Sequence, residues 1–344
     1  MSLALSEFGL PHELGADRTP EDRGIARDGV RLLVSDLEGE THHRFSELPE
    51  LLREGDLLVV NESATLAASL PACTPHASFR VNVSTRYGSD LWLVEPRWGF
   101  GVPGPLPFAP GDRLEIGGVP ARFVAEYPRI RRLGFVHAEG DLSTAMSAVG
   151  RPIHYGYLSR EYPLDRYQTV FARVPGSAEM PSAARPFTPR LLDHLARSGV
   201  SIARIVLHSG VSSLEPGDGG PSGVPLFPEP FDVPKSAVDS IRTTHDRGGR
   251  VIAVGTTVVR ALESATDACG LRPARGFTRL YLHADRPART VDGLLTGFHE
   301  ATSTHLALLA SVAGLPRIER AYRAAVGAGY LGHEFGDSHL ILLR

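Results

Sequence analysis

Lysine is almost absent from this chain: of its 36 Lys and Arg residues only Lys235 is a lysine. A phosphate-cradling loop of the Gly-Lys-Thr kind therefore cannot be built, and a Schiff-base lysine would have to be Lys235, which sits in a Pro-rich stretch with no supporting motif. Nucleoside-triphosphate hydrolysis and pyridoxal chemistry are poor readings for that reason. Cysteine is scarce too. Cys73 and Cys269 are too few for a disulfide framework or a cysteine metal centre, and both are expected to be reduced and structural. No secretory signal is recognised and no apolar run is long enough to span a bilayer, so a cytoplasmic protein without membrane partners is expected. Excess charge is missing as well: the net charge is −3, which gives no general support for binding RNA through a basic face. Arg129, Arg131, Arg132 and Arg151 could form a local basic patch, although a solvated loop explains Arg131-Arg132 equally simply.

What is present is an ordinary globular composition. With 344 residues, 42% of them hydrophobic, the chain can bury a large core in two domains. Strands are expected at Leu32–Val34, around His43–Phe45 and at Leu57–Val60. From about residue 72 to 147 the pattern changes to short alternating runs such as Phe79–Val83 and Leu91–Val94, punctuated by Gly and Pro, with a surface loop over Trp98–Pro110. After Arg151 helix and strand alternate again. Thr188-Pro189 opens a helix carrying Leu191, Leu192 and Leu195, Gly199 ends it, and Ile202–Leu207 is the next strand. The fold class is α/β: an α/β domain made from 1–61 and 151–344, interrupted by a small β-rich domain over 62–150.

The most informative stretch is Gly249–Ser264. Val251–Val254 reads as a buried parallel strand, Gly255 permits a tight turn, and Thr256 or Thr257 can cap a helix whose Val258, Val259, Leu262 and Ala265 recur at helical spacing. Free N–H groups at such a helix start attract carboxylates or phosphates, and Arg260, one turn in, adds a planar fork suited to a carboxylate. Its competing role is a structural pair with Glu263. In parallel sheets ligands sit beyond the carboxyl ends of strands, where His208-Ser-Gly210 and Gly255-Thr-Thr257 both emerge. His208 could orient substrate, move protons, or simply bond a neighbouring carbonyl. His299 and His305 flank Glu300 without zincin spacing and, placed on one helix, would face different ways, so no metal is expected. Ser303 or Thr304 either caps the helix bearing Leu306, Leu309 and Val312 or touches ligand. Asp337, ahead of a last strand at His339–Leu343, is a turn residue or a site carboxylate.

Arg166-Tyr-Gln-Thr-Val-Phe-Ala172, Leu207-His-Ser-Gly210, Val291-Asp-Gly-Leu-Leu-Thr-Gly-Phe-His299, Ser303-Thr304 and Phe335-Gly-Asp337 occur in an order and spacing that resemble the S-adenosylmethionine:tRNA ribosyltransferase-isomerases of queuosine biosynthesis, the QueA family. Phe45-Ser-Glu-Leu-Pro49 and Gly55-Asp-Leu-Leu-Val-Val-Asn61 look like that family's opening, and residues 72 to 150 match weakly. The resemblance implies a β-barrel-like insert in an α/β catalytic domain that binds S-adenosylmethionine as co-substrate. It implies ribosyl transfer: a base creates a carbanion beside the sulfonium, adenine and methionine leave, and the ribosyl unit is rebuilt as an epoxycyclopentane on the aminomethyl group of a 7-deazaguanine in tRNA. On this resemblance Gly255, Thr256, Thr257, Arg260, Phe298, His299 and Ser303 would hold the cofactor, His208, Glu229 and Asp337 would serve the chemistry, and Tyr167, Gln168 and Phe187 would meet the second substrate.

Departures from the pattern are equally specific. Pro186 stands where the family has a histidine in Pro181–Thr188. Pro225–Pro230 keeps Glu229 but loses the imidazoles before it. Ala64 and Ser69 replace arginines, Gly297 replaces an asparagine, and Ile153-His-Tyr155 replaces Pro-Pro-Tyr. The nucleoside-side motifs survive better than those around the second substrate. The expectation is that cofactor binding persists while activity on deazaguanine tRNA is weak or absent. A paralogue using or cleaving the cofactor with a small-molecule acceptor, or a non-catalytic nucleoside-binding protein, are the alternatives.

Overall fold

Leu57–Asn61 is buried at all five positions, as expected of a strand covered on both faces, and it lies in the interior of the largest sheet. In the computed structural model, which describes residues 9–98, 102–103, 107–128, 130–211, 226–300 and 303–344, this sheet has nine strands. Their order is Ala274–Thr278, Glu229–Val233, Ser201–Leu207, Leu57–Asn61, Val251–Val254, Gly293–Gly297, Ser338–Leu342, Arg31–Ser35 and Glu40–Arg44. Ser201–Leu207, Leu57–Asn61, Val251–Val254 and Gly293–Gly297 are mutually parallel. Their carboxyl ends therefore share one edge. Ser338–Leu342 runs antiparallel to Gly293–Gly297 and parallel to Arg31–Ser35, so the amino ends of those two strands come to the same edge.

Side chains alternate between two cores. Leu57, Val59, Val251 and Ala253 pack with the helices Lys235–Asp246, Thr256–Ser264, Thr304–Ala313 and Leu315–Gly327 on one face, whereas Leu58, Val60, Ile252 and Val254 pack with Phe171, Phe187 and Leu191 on the other. At the edge opposite the strand ends, Asp56 (1% exposed) accepts from Arg250 Nε and Nη2 at 3.1 and 2.6 Å and from the backbone N–H groups of Arg53 and Arg250. Helix Pro189–Arg197 starts as expected: the Thr188 hydroxyl accepts from Leu191 N at 3.2 Å, and proline occupies the first position, where no N–H is missed.

The second sheet is antiparallel and closes. Gly134–Ala138 pairs with Val119–Glu126 on one side and with Leu91–Trp98 on the other, while Arg113–Ile116, Ser69–Cys73 and Ser78–Arg86 complete a six-stranded barrel. Closure leaves no long open edge. In the segment expected to be a surface loop, Val102–Pro103 forms a short strand paired with Arg97 and Trp98; 99–101 and 104–106 lie outside the described residues. No helix among the described residues is long and apolar enough to cross a membrane.

Candidate active site

The turn after Val254 is held by backbone geometry. Gly255 has φ 97° and ψ 153°, a conformation that side-chain-bearing residues avoid, and its N–H donates to Leu295 O at 2.8 Å. Neither threonine caps the helix that follows: Gly255 is the N-cap and no side chain bonds the first turn. The reason is that Thr256 and Thr257 already lie inside the helix, one residue too late to cap. Thr257 Oγ1 instead meets Asn61 Nδ2 at 3.4 Å.

Asn61 ends its strand by bridging to the next one, donating to Leu207 O at 2.8 Å and accepting from Leu207 N at 3.0 Å. This brings Ser63 to His208. The Ser63 hydroxyl lies 2.7 Å from His208 Nδ1 and 2.6 Å from the Ser177 hydroxyl, which accepts from Ser209 N at 3.0 Å. Burial lowers the His208 pKa, so the ring is neutral near pH 7 and able to take a proton. Gly176 makes room for it, because a Cβ there would lie 2.4 Å from the imidazole. Gly176→Ala is therefore expected to push His208 off Ser63, reduce turnover at least about tenfold and cost about 1–3 kcal/mol of stability through overpacking. Unchanged turnover would remove His208 from the working site.

Glu229 and Arg260 face each other. Glu229 (2% exposed) accepts from Gly210 N at 2.9 Å and from Arg260 Nη1, and Arg260 Nε donates to Leu280 O at 3.1 Å. Arg260 Nη2 is sealed from solvent and has no hydrogen-bond partner among the described residues. Arg260 is thus paired with Glu229 and not with Glu263, whose carboxylate accepts from Arg289 N, Thr290 N and the Thr290 hydroxyl. Glu263 points outward from the helix, toward a loop that single-sequence spacing does not locate.

Beside Arg260 stand two imidazoles. His299 precedes the helix rather than lying on it, so its ring reaches back and stacks on His305 at 4.7 Å, contrary to the expectation that the two face different ways. Burial, together with the positive charge of Arg260, lowers His305 to about 4, and burial beside His305, His333 and His339 holds His299 well below the usual imidazole range. Ser303 accepts from His305 N at 3.1 Å as the helix cap, and its hydroxyl lies 3.0 Å from His305 Nδ1. The neutral His305 has a stability consequence. Its folded value lies below its unfolded value of 6.5, so the unfolded chain gains a proton first and stability falls as pH drops from 6.5 towards 4, by up to about 1.4 kcal/mol per pH unit for this group. His305→Asn should flatten that acid slope in urea denaturation. An unchanged slope would mean that the ring is not held neutral.

The remaining candidates have the following partners. Phe298 (1% exposed) lies parallel to the His339 ring at 5.4 Å and edge-on to Tyr322 and Tyr330, in the core rather than on the cavity wall. Asp337 accepts from Arg31 N, Nε and Nη2 and from Leu331 N, at 2.8 to 3.0 Å, which leaves it an anchor for the edge. Gln168 pairs with the backbone of Thr65 through both ends of its amide, and Phe187 packs against Phe45 and Phe171. Tyr167, although only 2% exposed, borders a cavity of about 540 Å³ beside Ala67, Met146 and Arg151.

The arginines divide likewise. Arg132 is buried against Glu95 inside the barrel region and cannot join a basic patch; Arg129 lies outside the described residues. Arg80, however, reaches across from the neighbouring strand and donates to the Ser69 hydroxyl and carbonyl at 3.0 and 2.5 Å. A guanidinium is therefore present at position 69 after all, with Arg151 close enough to lower the pKa of Arg80 further after burial has done so. Sequence reasoning did not single out Ser63 and Ser177, which stand beside His208. Only Ser63, two residues beyond a strand end, carried a local signal. No group of three or more potential metal ligands occurs among the described residues.

Known proteins resemble the chain over nearly its full length. The sequence profile of the family described as "Queuosine biosynthesis protein" matches residues 3–341. The S-adenosylmethionine:tRNA ribosyltransferase-isomerase of Thermus thermophilus is 37% identical over 98% of both chains. The enzyme of that name from Symbiobacterium thermophilum is 36% identical over 99% of this chain and 100% of its own. The crystal structure of the S-adenosylmethionine tRNA ribosyltransferase from Thermotoga maritima has a TM-score of 0.55 at 30% identity, covering 98% of this chain and 100% of that one.

Proposed function

The chain belongs to the queuosine biosynthesis protein family, and we infer from this that it is an S-adenosylmethionine-dependent transferase-isomerase moving the ribosyl unit of that co-substrate onto 7-aminomethyl-7-deazaguanine in tRNA. The observation that carries the reading is the buried, unpartnered Nη2 of Arg260 beside Glu229 and the stacked pair His299–His305. A guanidinium with one free, desolvated N–H suits a carboxylate, and we assign it the methionine carboxylate. Neutral imidazoles add no positive charge to a site that must accept a sulfonium. The sulfonium itself acidifies the adjacent C–H, so the protein has chiefly to fix both ends of the co-substrate and place a base. We place His208 nearest that role, oriented by Ser63; Glu229 is engaged by Arg260 and Gly210 and acts by holding the guanidinium.

Full-length similarity to enzymes named for tRNA favours tRNA over a small-molecule acceptor. The departures noted in the sequence weigh less once the side chains are placed: Arg80 supplies a guanidinium at Ser69, and imidazoles from other elements line the edge although Pro186 has none. We take 62–150 as the barrel unit, which meets the site through Ser63 and through Ser84, whose hydroxyl accepts from Val211 N at 2.9 Å. For an enzyme acting on tRNA we infer a cytoplasmic location.

Calorimetry tests the co-substrate site. Binding of S-adenosylmethionine or S-adenosylhomocysteine below millimolar concentration is expected. Absence of binding for both would remove the assignment of Arg260 and its neighbours.

A further inference from the structure

At the other end of the same edge, a second set of polar atoms has no partner among the described residues. Glu334 Oε2 and the Tyr157 hydroxyl are both enclosed and make no hydrogen bond among the described residues. The two are linked by His333, whose backbone turns at φ 67° and whose ring stacks on Tyr157 at 4.1 Å; Tyr157 in turn stacks on Tyr155 at 5.7 Å. A small cavity runs from Glu334 past Gly297 to Ala183 and Arg185. Ala183 is also the neighbour that a Cβ on Gly255 would touch, at 3.5 Å, so the cavity adjoins the turn assigned to the co-substrate.

Among the described residues, the charges near Glu334 are engaged elsewhere. Arg185 is bound to Glu21 at 2.9 and 3.2 Å and donates to Arg166 O. Asp337 is bound to Arg31, and His333 Nε2 lies 3.4 Å from Glu300. Tyr155, buried and facing Glu179 as well as Glu334, has its hydroxyl pushed well above its ordinary value, and burial pushes His333 down. Burial likewise raises Glu334 to about 7. An enclosed carboxyl with a free oxygen, a free phenol and stacked aromatic faces beside them suits one chemistry, a primary ammonium.

We propose that Glu334 and Tyr157 form a primary-amine subsite, in which the Glu334 carboxylate accepts a proton from a bound ammonium and releases the free amine. The inference rests on the function proposed above, whose acceptor must attack as an unprotonated amine. The step is balanced: one N–H bond breaks, its electron pair stays on nitrogen as the attacking lone pair, and the proton becomes the O–H of a neutral carboxyl group. Two ammonium groups share this chemistry, the aminomethyl group of the deazaguanine and the α-amine of S-adenosylmethionine.

The test compares the full-length wild type with Glu334→Gln and Tyr157→Phe, by calorimetry with S-adenosylmethionine and by turnover with deazaguanine-containing tRNA across the neutral pH range. If the acceptor amine is the occupant, wild-type kcat/KM falls as pH drops through about 7, while Glu334→Gln loses that limb and about a hundredfold in rate with its co-substrate affinity intact. If the α-amine is the occupant, Glu334→Gln weakens S-adenosylmethionine binding at least about tenfold and leaves the affinity of a desamino analogue unchanged. Either result supports an ammonium-binding subsite, and the second overturns the proton transfer. Retention of turnover, affinity and the pH limb by Glu334→Gln overturns it. If that variant does not fold, wild-type values in Tyr157→Phe overturn it instead. A wild type that neither binds S-adenosylmethionine nor turns over overturns the proposed function itself, a failure visible before any variant is measured.

Discussion

Arg260→Ala is expected to weaken S-adenosylmethionine binding roughly ten- to a hundredfold, the equivalent of about 1.5–3 kcal/mol for a charge-assisted hydrogen bond. The same change should destabilise the fold by about 3–5 kcal/mol, because it strands Glu229, only 2% exposed, without its cation. Two effects from one substitution need separating. The double variant Arg260→Met with Glu229→Gln removes both buried charges and should recover most of the stability, yet binding should remain weak, since the donor for the carboxylate is still absent. Calorimetry on the folded double variant and urea denaturation on all three proteins check this. Wild-type affinity in a folded variant lacking Arg260 would reduce the residue to a structural partner of Glu229.

Asp56→Ala should act on stability alone. Its carboxylate is enclosed and receives the Arg250 guanidinium and two backbone N–H groups, so removing it leaves a buried cation and two unsatisfied donors, at a cost of about 3–5 kcal/mol. The residue lies at the end of the sheet remote from the candidate site, where Leu57–Asn61 and Val251–Val254 begin. Co-substrate affinity of the folded fraction should therefore be unchanged. A loss of less than about 1 kcal/mol in urea denaturation would contradict the ion pair's role.

Both variants bear on how far the sequence could be read. Val251–Val254, Leu57–Asn61 and the helix opened by Thr188 were visible because each obeys a local rule: a β-branched buried run, a continuous apolar segment, a cap followed by proline. Strand direction and turn position then bring His208, Gly255 and Asp337 to one edge. Partner choice was not visible. Arg260 pairs with a residue 31 positions away on a strand, and spacing along its own helix pointed to Glu263 instead. Arg80 stands in for an arginine absent at Ser69 because two antiparallel strands lie side by side. Phe298 belongs to a conspicuous motif, yet its ring fills the core between His339, Tyr322 and Tyr330; motif membership does not tell which way a side chain faces. Glu334 carried no signal at all, since an enclosed carboxyl is recognisable only once the aromatic rings around it are in place.

The central claim is ribosyl transfer from S-adenosylmethionine to tRNA. It is tested most directly by incubating the protein with the co-substrate, with and without deazaguanine-containing tRNA, and following both the small molecules and the tRNA nucleosides by mass spectrometry. The account predicts adenine and methionine released only when tRNA is present, together with the epoxycyclopentane nucleoside in the tRNA. Release without tRNA, or saturable binding with no release, would contradict it.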